Sequence, residues 1–286
     1  MISSVRILNF DDSITAQKNL VNRYKPEITD LRDLAPYARY WAGKNTVNGL
    51  RKCLPTEGNT ITFLGSGDFH HISRLLINQP KEPISVIVFD GHPDWDIMPQ
   101  PLCCGSWVND AARAENVRKI ILVGVSSDDP AVVERGKIEM YPYSRKPSLV
   151  FTGKIPFLKR IYWDEIKGKD IAALFRKILS RLPTRHVYVS IDKDCLRSEY
   201  AATNWEEGKL ALDELLLMLK LIKENADIIG ADIVGDYSPV YIKGIFKRFV
   251  AYSDHPKNIK ARTLPLAEIT AINEATNLKI LNSLLF

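Results

Sequence analysis

Two apolar runs in this chain end in closely spaced carboxylates. Ser85-Val86-Ile87-Val88-Phe89 leads into Asp90-Gly91-His92-Pro93-Asp94-Trp95-Asp96, and Val187-Tyr188-Val189-Ser190-Ile191 leads into Asp192-Lys193-Asp194. In an extended chain alternate side chains share a face, which puts Asp90, His92, Asp94 and Asp96 together and Asp192 with Asp194. Carboxylates gathered at the end of a buried strand repel one another and lose hydration, and a divalent cation relieves both penalties. Each cluster alone has a plainer reading: Gly91 and Pro93 suit a surface turn, and an Asp pair can cap the loop after a strand. The two clusters in one chain favour the metal. A third segment, Leu64-Gly65-Ser66-Gly67-Asp68-Phe69-His70-His71, reads as a strand, a glycine turn and a helix start. It directs an imidazole toward the same crevice, and the spacing leaves open whether His70 or His71 is the ligand or a satisfied polar group.

Short β-branched runs alternate with amphipathic stretches, the pattern of βαβ units and a parallel sheet. The expected strands are Ile61–Leu64, Ile84–Asp90, Lys119–Gly124, Lys159–Tyr162, His186–Ile191 and Ile228–Val234, with helices near 70–78, 105–115, 130–136, 169–181, 209–224 and 265–284. The last of these has Leu and Ile at helical spacing and reads as packing on the sheet or on another subunit. Residues 136–158, with Pro142, Pro147 and Pro156, read as irregular or as a short excursion from the sheet. Residues 1–60 read as a divergent N-terminal elaboration. With no repeat or linker tract, residues 1–286 read as one α/β domain. In such sheets ligands gather beyond the carboxyl ends of the strands, where both carboxylate clusters fall.

Composition narrows the classes. The 286 residues are 45% hydrophobic and 26% charged, which is ordinary for a folded protein. The basic excess, 39 − 34 = 5, is scattered and forms no phosphate-tracking patch, so nucleic acid is not an expected partner. The start, MISSVRILNFDDS, lacks the apolar core of a signal peptide, and no run reaches the ~18 apolar residues of a membrane span; a cytoplasmic protein is expected. Four cysteines are too few for a disulfide scaffold, and the adjacent Cys103-Cys104 suit neither an ordinary bridge nor a Cys-x-x-Cys zinc site. His186 and His255 read as surface or capping residues.

Together the three segments resemble the arginase, agmatinase and formiminoglutamase (ureohydrolase) superfamily. Its motifs are Gly-Gly-Asp-His, Asp-Ala-His-x-Asp and Ser-x-Asp-x-Asp, and residues 90–94 and 190–194 match the last two. Gly230-Ala231-Asp232-Ile233-Val234 through Pro239 is similar to the family's late strand, so the likeness covers residues 60–285. The resemblance implies a three-layer α/β/α fold with a mostly parallel central sheet. It also implies two Mn²⁺ ions held by His70 (His71 as the fallback), Asp90, His92, Asp94, Asp192 and Asp194; Fe, Co, Ni and Zn also suit such donors.

The function implied is hydrolysis of a non-peptide C–N bond in a guanidino, amidine or amide substrate by a metal-activated hydroxide. Asp94 would orient the hydroxide; Asp236, the second catalytic carboxylate, would with Asp96 face a cationic or hydrogen-bonding substrate group, and Cys104 and His71 would line the substrate site. A small-molecule substrate and a homo-oligomer come with the family. Three departures stand out. An extra residue separates Asp68 from the imidazoles; Cys104 stands where the family carries a histidine; and Gly235-Asp236-Tyr237-Ser238-Pro239 replaces Glu-x-Asn-Pro. Cys104 also reads as a small buried residue, and Trp95 as either a pocket wall or core. The alternatives are a metal-holding binding or regulatory relative without catalysis, and a single-zinc deacetylase-like amidohydrolase.

Overall fold

The structure is a computed structural model that describes residues 2, 4–54, 59–96, 102–127, 137–144, 147–151, 158–162, 164–254 and 263–286. Its centre is an eight-stranded sheet in which every pairing is parallel. The strands are β1 (Ser4–Asn9), β2 (Glu27–Asp30), β3 (Thr60–Gly65), β4 (Ile84–Phe89), β5 (Val117–Val123), β6 (Ile138–Tyr141), β7 (His186–Asp192) and β8 (Asp227–Val234). They run in the order β2-β1-β3-β8-β7-β4-β5-β6.

Both faces of the sheet are covered, which is why the central strands are continuous apolar runs rather than alternating ones. On one face Leu64, Val86, Val88 and Leu122 meet Leu50, Leu75, Leu76, Trp107 and Val108 from short helices. On the other, Phe63, Ile87, Phe89, Val189 and Ile191 meet Phe175, Leu215, Leu219, Ile280 and Leu281. The helices on this second face are Ile171–Leu179, Leu212–Asn225 and Leu266–Leu285. Asp170 caps the first, its Oδ1 accepting from Ala173 N–H at 3.0 Å. Glu214 turns back at the start of the second to accept from Ala211 N–H at 2.7 Å. The result is the α/β/α arrangement that the resemblance implies.

Several sequence expectations change. Residues 1–60 supply two sheet strands, with β1 pairing β2 and β3, so they are part of the frame. Within 136–158, Ile138–Tyr141 extends the sheet as an edge strand beside β5. The expected strand at Lys159–Tyr162 forms, over Leu158–Tyr162, but pairs antiparallel with Pro147–Phe151 outside the main sheet. The connection between those two strands is far shorter than the dozen or so residues a parallel crossover needs, so an antiparallel partner follows. The expected helix at 130–136 lies outside the described residues.

Candidate metal centre and cleft

β4 and β7 are neighbours, with Phe89 opposite Ile191, so the residues that follow them emerge side by side. The chain after β4 does not stay extended. Asp94 has φ of +46°, a turn that Trp107 holds by donating its indole N–H to Asp94 Oδ2 at 2.7 Å. The four polar residues therefore do not share one strand face: Asp90, His92 and Asp94 converge through a turn, while Asp96 is carried to the exposed rim. Gly91 allows the β7 loop to come close, since a Cβ there would lie 3.0 Å from Asp194 Oδ1 and 3.1 Å from its backbone oxygen. The approach is used: Gly91 N–H donates to Asp194 Oδ1 at 2.8 Å.

The glycine turn after β3 opens a 3₁₀ helix, Gly67–Ile72, that presents His70 to the same point. Its Nδ1 stands 3.0 Å from Asp90 Oδ2, 3.4 Å from Asp94 Oδ2 and 3.5 Å from Asp192 Oδ2. His92 Nδ1 lies 2.8 Å from Asp194 Oδ2 and 3.9 Å from Asp90 Oδ1. Among the described residues two donor groups could hold an ion, His70/Asp90/Asp192 and Asp90/His92/Asp194, each with its donor atoms within 4.8 Å of one another. Asp90 belongs to both.

The electrostatics fit cations. Burial, followed by the charges of Asp94 and Asp194, pushes the Asp90 carboxyl well above the usual range, and burial with Asp194 pushes Asp192 up to about 8. Burial opposes charging of His70, yet the carboxylates around it raise its pKa. His70 Nδ1 and Asp90 Oδ2 are buried without a hydrogen-bond partner despite their 3.0 Å approach. Behind the ring, Ser190 Oγ donates to Asp232 Oδ1 at 2.7 Å, so it is an acceptor for His70 Nε2–H at 2.9 Å. Tyr188 OH donates to the other Asp232 oxygen at 2.8 Å. That chain engages Nε2 and leaves Nδ1 facing the carboxylates, the orientation metal-ligating histidines usually have.

Other expected site residues lie elsewhere. His71 is fully buried and does not line the cleft; burial, then the charges of Lys247 and His70, holds its pKa down to about 3. Asp236 also stays out of the cleft. Its Oδ2 is 2.8 Å from Lys193 Nζ, and its Oδ1 accepts from Gln17 Nε2 at 2.7 Å and Asn277 Nδ2 at 3.2 Å. The carboxylate expected to meet a substrate is thus neutralised by the chain's own buried lysine, a partner that sequence spacing does not disclose. Gly235 makes room for this packing: its φ is +88°, and a Cβ would come within 2.4 Å of Asp192 Oδ1. Trp95 is buried in the core cluster that also holds Trp107. His186 opens β7 at the far end of the strand, and His255 lies outside the described residues.

Above the carboxylates is a cleft of about 170 Å³. Asp94, Asp96 and Cys104 line it, and so do Tyr40, Trp41 and Trp205. Hydrogen bonding with Cys103, then burial, raises the Cys104 pKa and keeps it a thiol. Trp41–Ala42 pairs with Leu102–Cys103 in a two-stranded ribbon that brings the N-terminal part to the cleft wall. Tyr40 and Trp41 were missed from sequence because nothing in residues 1–60 points to the cleft, and Trp205 because its segment carries no metal-ligating residue.

Among the described residues no helix is long and apolar enough to cross a membrane. An uncharacterized protein of Thermotoga maritima is 31% identical over 202 residues, 71% of this chain and 68% of that protein. An arginase of Glycine max is 27% identical over 181 residues, covering 59% of this chain but 43% of that arginase. The crystal structure of Entamoeba histolytica arginase, in complex with L-ornithine, shares the fold at a TM-score of 0.57 and 12% identity, over 98% of this chain and 96% of that one. The arginase family model matches residues 58–250, a span that takes in the histidine turn, both carboxylate clusters and Trp205. On that match the chain belongs to the arginase family.

Proposed function

We propose that this protein is a metal-dependent hydrolase of a non-peptide carbon–nitrogen bond in a guanidino, amidine or amide compound. What supports the reading above all is the pair of overlapping donor groups that share Asp90. His70, Asp90 and Asp192 would hold one divalent ion and Asp90, His92 and Asp194 the other, with Asp94 at the edge of the first. Hard carboxylate oxygens with one imidazole at each position suit Mn²⁺, and Fe, Co, Ni or Zn are also accommodated. Ions so held act as Lewis acids and make water a nucleophile near neutral pH.

The chain's own residues would orient the reaction. Ser190 and Asp232 fix the His70 ring, and Gly91 N–H fixes Asp194. Asp94, anchored by Trp107 but with its side chain 12% exposed, faces the cleft and would take a proton from water and pass it to the departing nitrogen. Cys104, kept as a thiol, lines the pocket. The test is turnover: Mn²⁺-reconstituted protein should release product from a panel of guanidino, amidine and amide compounds, and His92→Ala should abolish it.

A second reading has its own support. The loop after β8 carries no glutamate, and Asp236, which stands three residues before Pro239 as the family's glutamate does, is spent on Lys193. A metal-holding binding protein without catalysis fits those two facts, and two bound ions with no turnover on the panel would select it. Two donor groups rather than one count against a single-zinc amidohydrolase.

A further inference from the structure

Lys193 stands between two donor aspartates, Asp192 and Asp194, and its side chain is fully buried. Its Nζ lies 2.8 Å from Asp236 Oδ2, and neither residue lines the cleft. A buried ion pair is a poor source of stability, because desolvation offsets the attraction and two apolar side chains of similar volume often serve as well. What an ion pair adds is direction: it fixes where the side chain, and the loop that bears it, must point.

The loop so fixed is the one that carries the donors. Lys193 opens the 3₁₀ turn Lys193–Cys195, and Asp192 Oδ1 closes it by accepting from Asp194 N–H at 3.0 Å. Gly235, the neighbour of Asp236, packs directly on this turn: a Cβ there would lie 2.4 Å from Asp192 Oδ1 and 2.6 Å from Lys193 N. Holding Asp236 therefore holds Gly235 against the donor carboxylate. Asp236 N–H also donates to Gly65 O at 3.0 Å, at the turn that leads into the 3₁₀ helix of His70. One residue thus braces the segments that carry His70, Asp192 and Asp194.

Asp236 is held in turn from outside the 70–194 span of the donor residues. Its Oδ1 accepts from Gln17 Nε2 at 2.7 Å and from Asn277 Nδ2 at 3.2 Å, and Asn277 Nδ2 reaches Gln17 Oε1 at 2.9 Å. Both amides are buried, Gln17 in the N-terminal segment and Asn277 in the helix Leu266–Leu285.

We infer that Lys193, Asp236, Gln17 and Asn277 form a positioning network through which the N-terminal segment and the last helix set the geometry of the donors His70, Asp192 and Asp194. The inference rests on the metal-binding part of the proposed function and not on the reaction. Mn²⁺ competition titration, beside denaturant unfolding of chelator-treated protein, separates positioning from stability. Lys193→Met/Asp236→Leu should keep most of the parent's stability yet bind Mn²⁺ about 10–100-fold more weakly. Asn277→Leu, which leaves the ion pair in place, should weaken binding severalfold and carries the test if the double variant does not fold. Leu284→Ala, a core change about two turns further along the same helix, should lower stability and leave Mn²⁺ affinity unchanged. Parent-like affinity in both network variants, or an equal loss in Leu284→Ala, overturns the network. A parent that binds no Mn²⁺ defeats the metal reading itself, and the network with it.

Discussion

The loops after β4, β7 and β8 hold two groups of buried carboxylates, and their surroundings differ. On the cleft side, Asp90 and Asp192 are buried beside other acids whose charges add to burial in driving their pKa values up, and Asp90 Oδ2 has no hydrogen-bond partner. Behind them, Asp236 is as deeply buried, yet it has Lys193 at 2.8 Å and accepts from Gln17 and Asn277. Burial is common to both groups; a lysine countercharge is not. A buried carboxylate without a partner is unstable unless something else arrives, so the incomplete group marks where a ligand belongs and the complete one marks structure.

The contrast breaks most sharply at Lys193. Lys193→Met leaves Asp236 buried without its cation and should cost about 3–5 kcal/mol in denaturant unfolding, with Lys193→Met/Asp236→Leu recovering most of the loss. If the single variant is as stable as the parent, the pair behind the cleft is not structural. Ser190→Ala probes the cleft side. Removing the acceptor of His70 Nε2–H should lower Mn²⁺ affinity by about 10–100-fold in a competition titration while leaving unfolding little changed. Unchanged affinity would mean that the His70 ring needs no support from behind.

A smaller effect sharpens the difference between the neighbouring histidines. His71, neutral and buried, has a folded pKa of about 3, below that of the unfolded chain. As pH falls the unfolded state therefore takes up the proton first. The stability this residue lends is intact above pH ~6.5 and is lost progressively toward pH ~3, by ~1.4 kcal/mol per unit. Chelator-treated His71→Gln should show a shallower acid decline than the parent between pH 6.5 and 5; identical slopes would place the acid lability elsewhere.

What was legible in the sequence was what strand chemistry controls. β4 and β7 are buried on both faces, so they read as unbroken apolar runs, and the acids at their ends stood out against them. β2, Glu27-Ile28-Thr29-Asp30, is an edge strand with little buried surface and so carries no such signal. The turn at Asp94 depends on Trp107 and Val108 at the start of the following helix, which no local pattern reports. The same holds for Asp236: its role was misread because Lys193, Gln17 and Asn277 reach it from three different parts of the chain.

The central claim is that Asp90 is shared between two ion positions, and metal content tests it most directly. Elemental analysis of Mn²⁺-reconstituted, desalted protein should find about two ions per chain in the parent, and Asp90→Ala should hold neither tightly. A parent that retains no ion, or an Asp90→Ala variant that retains both, would contradict the account.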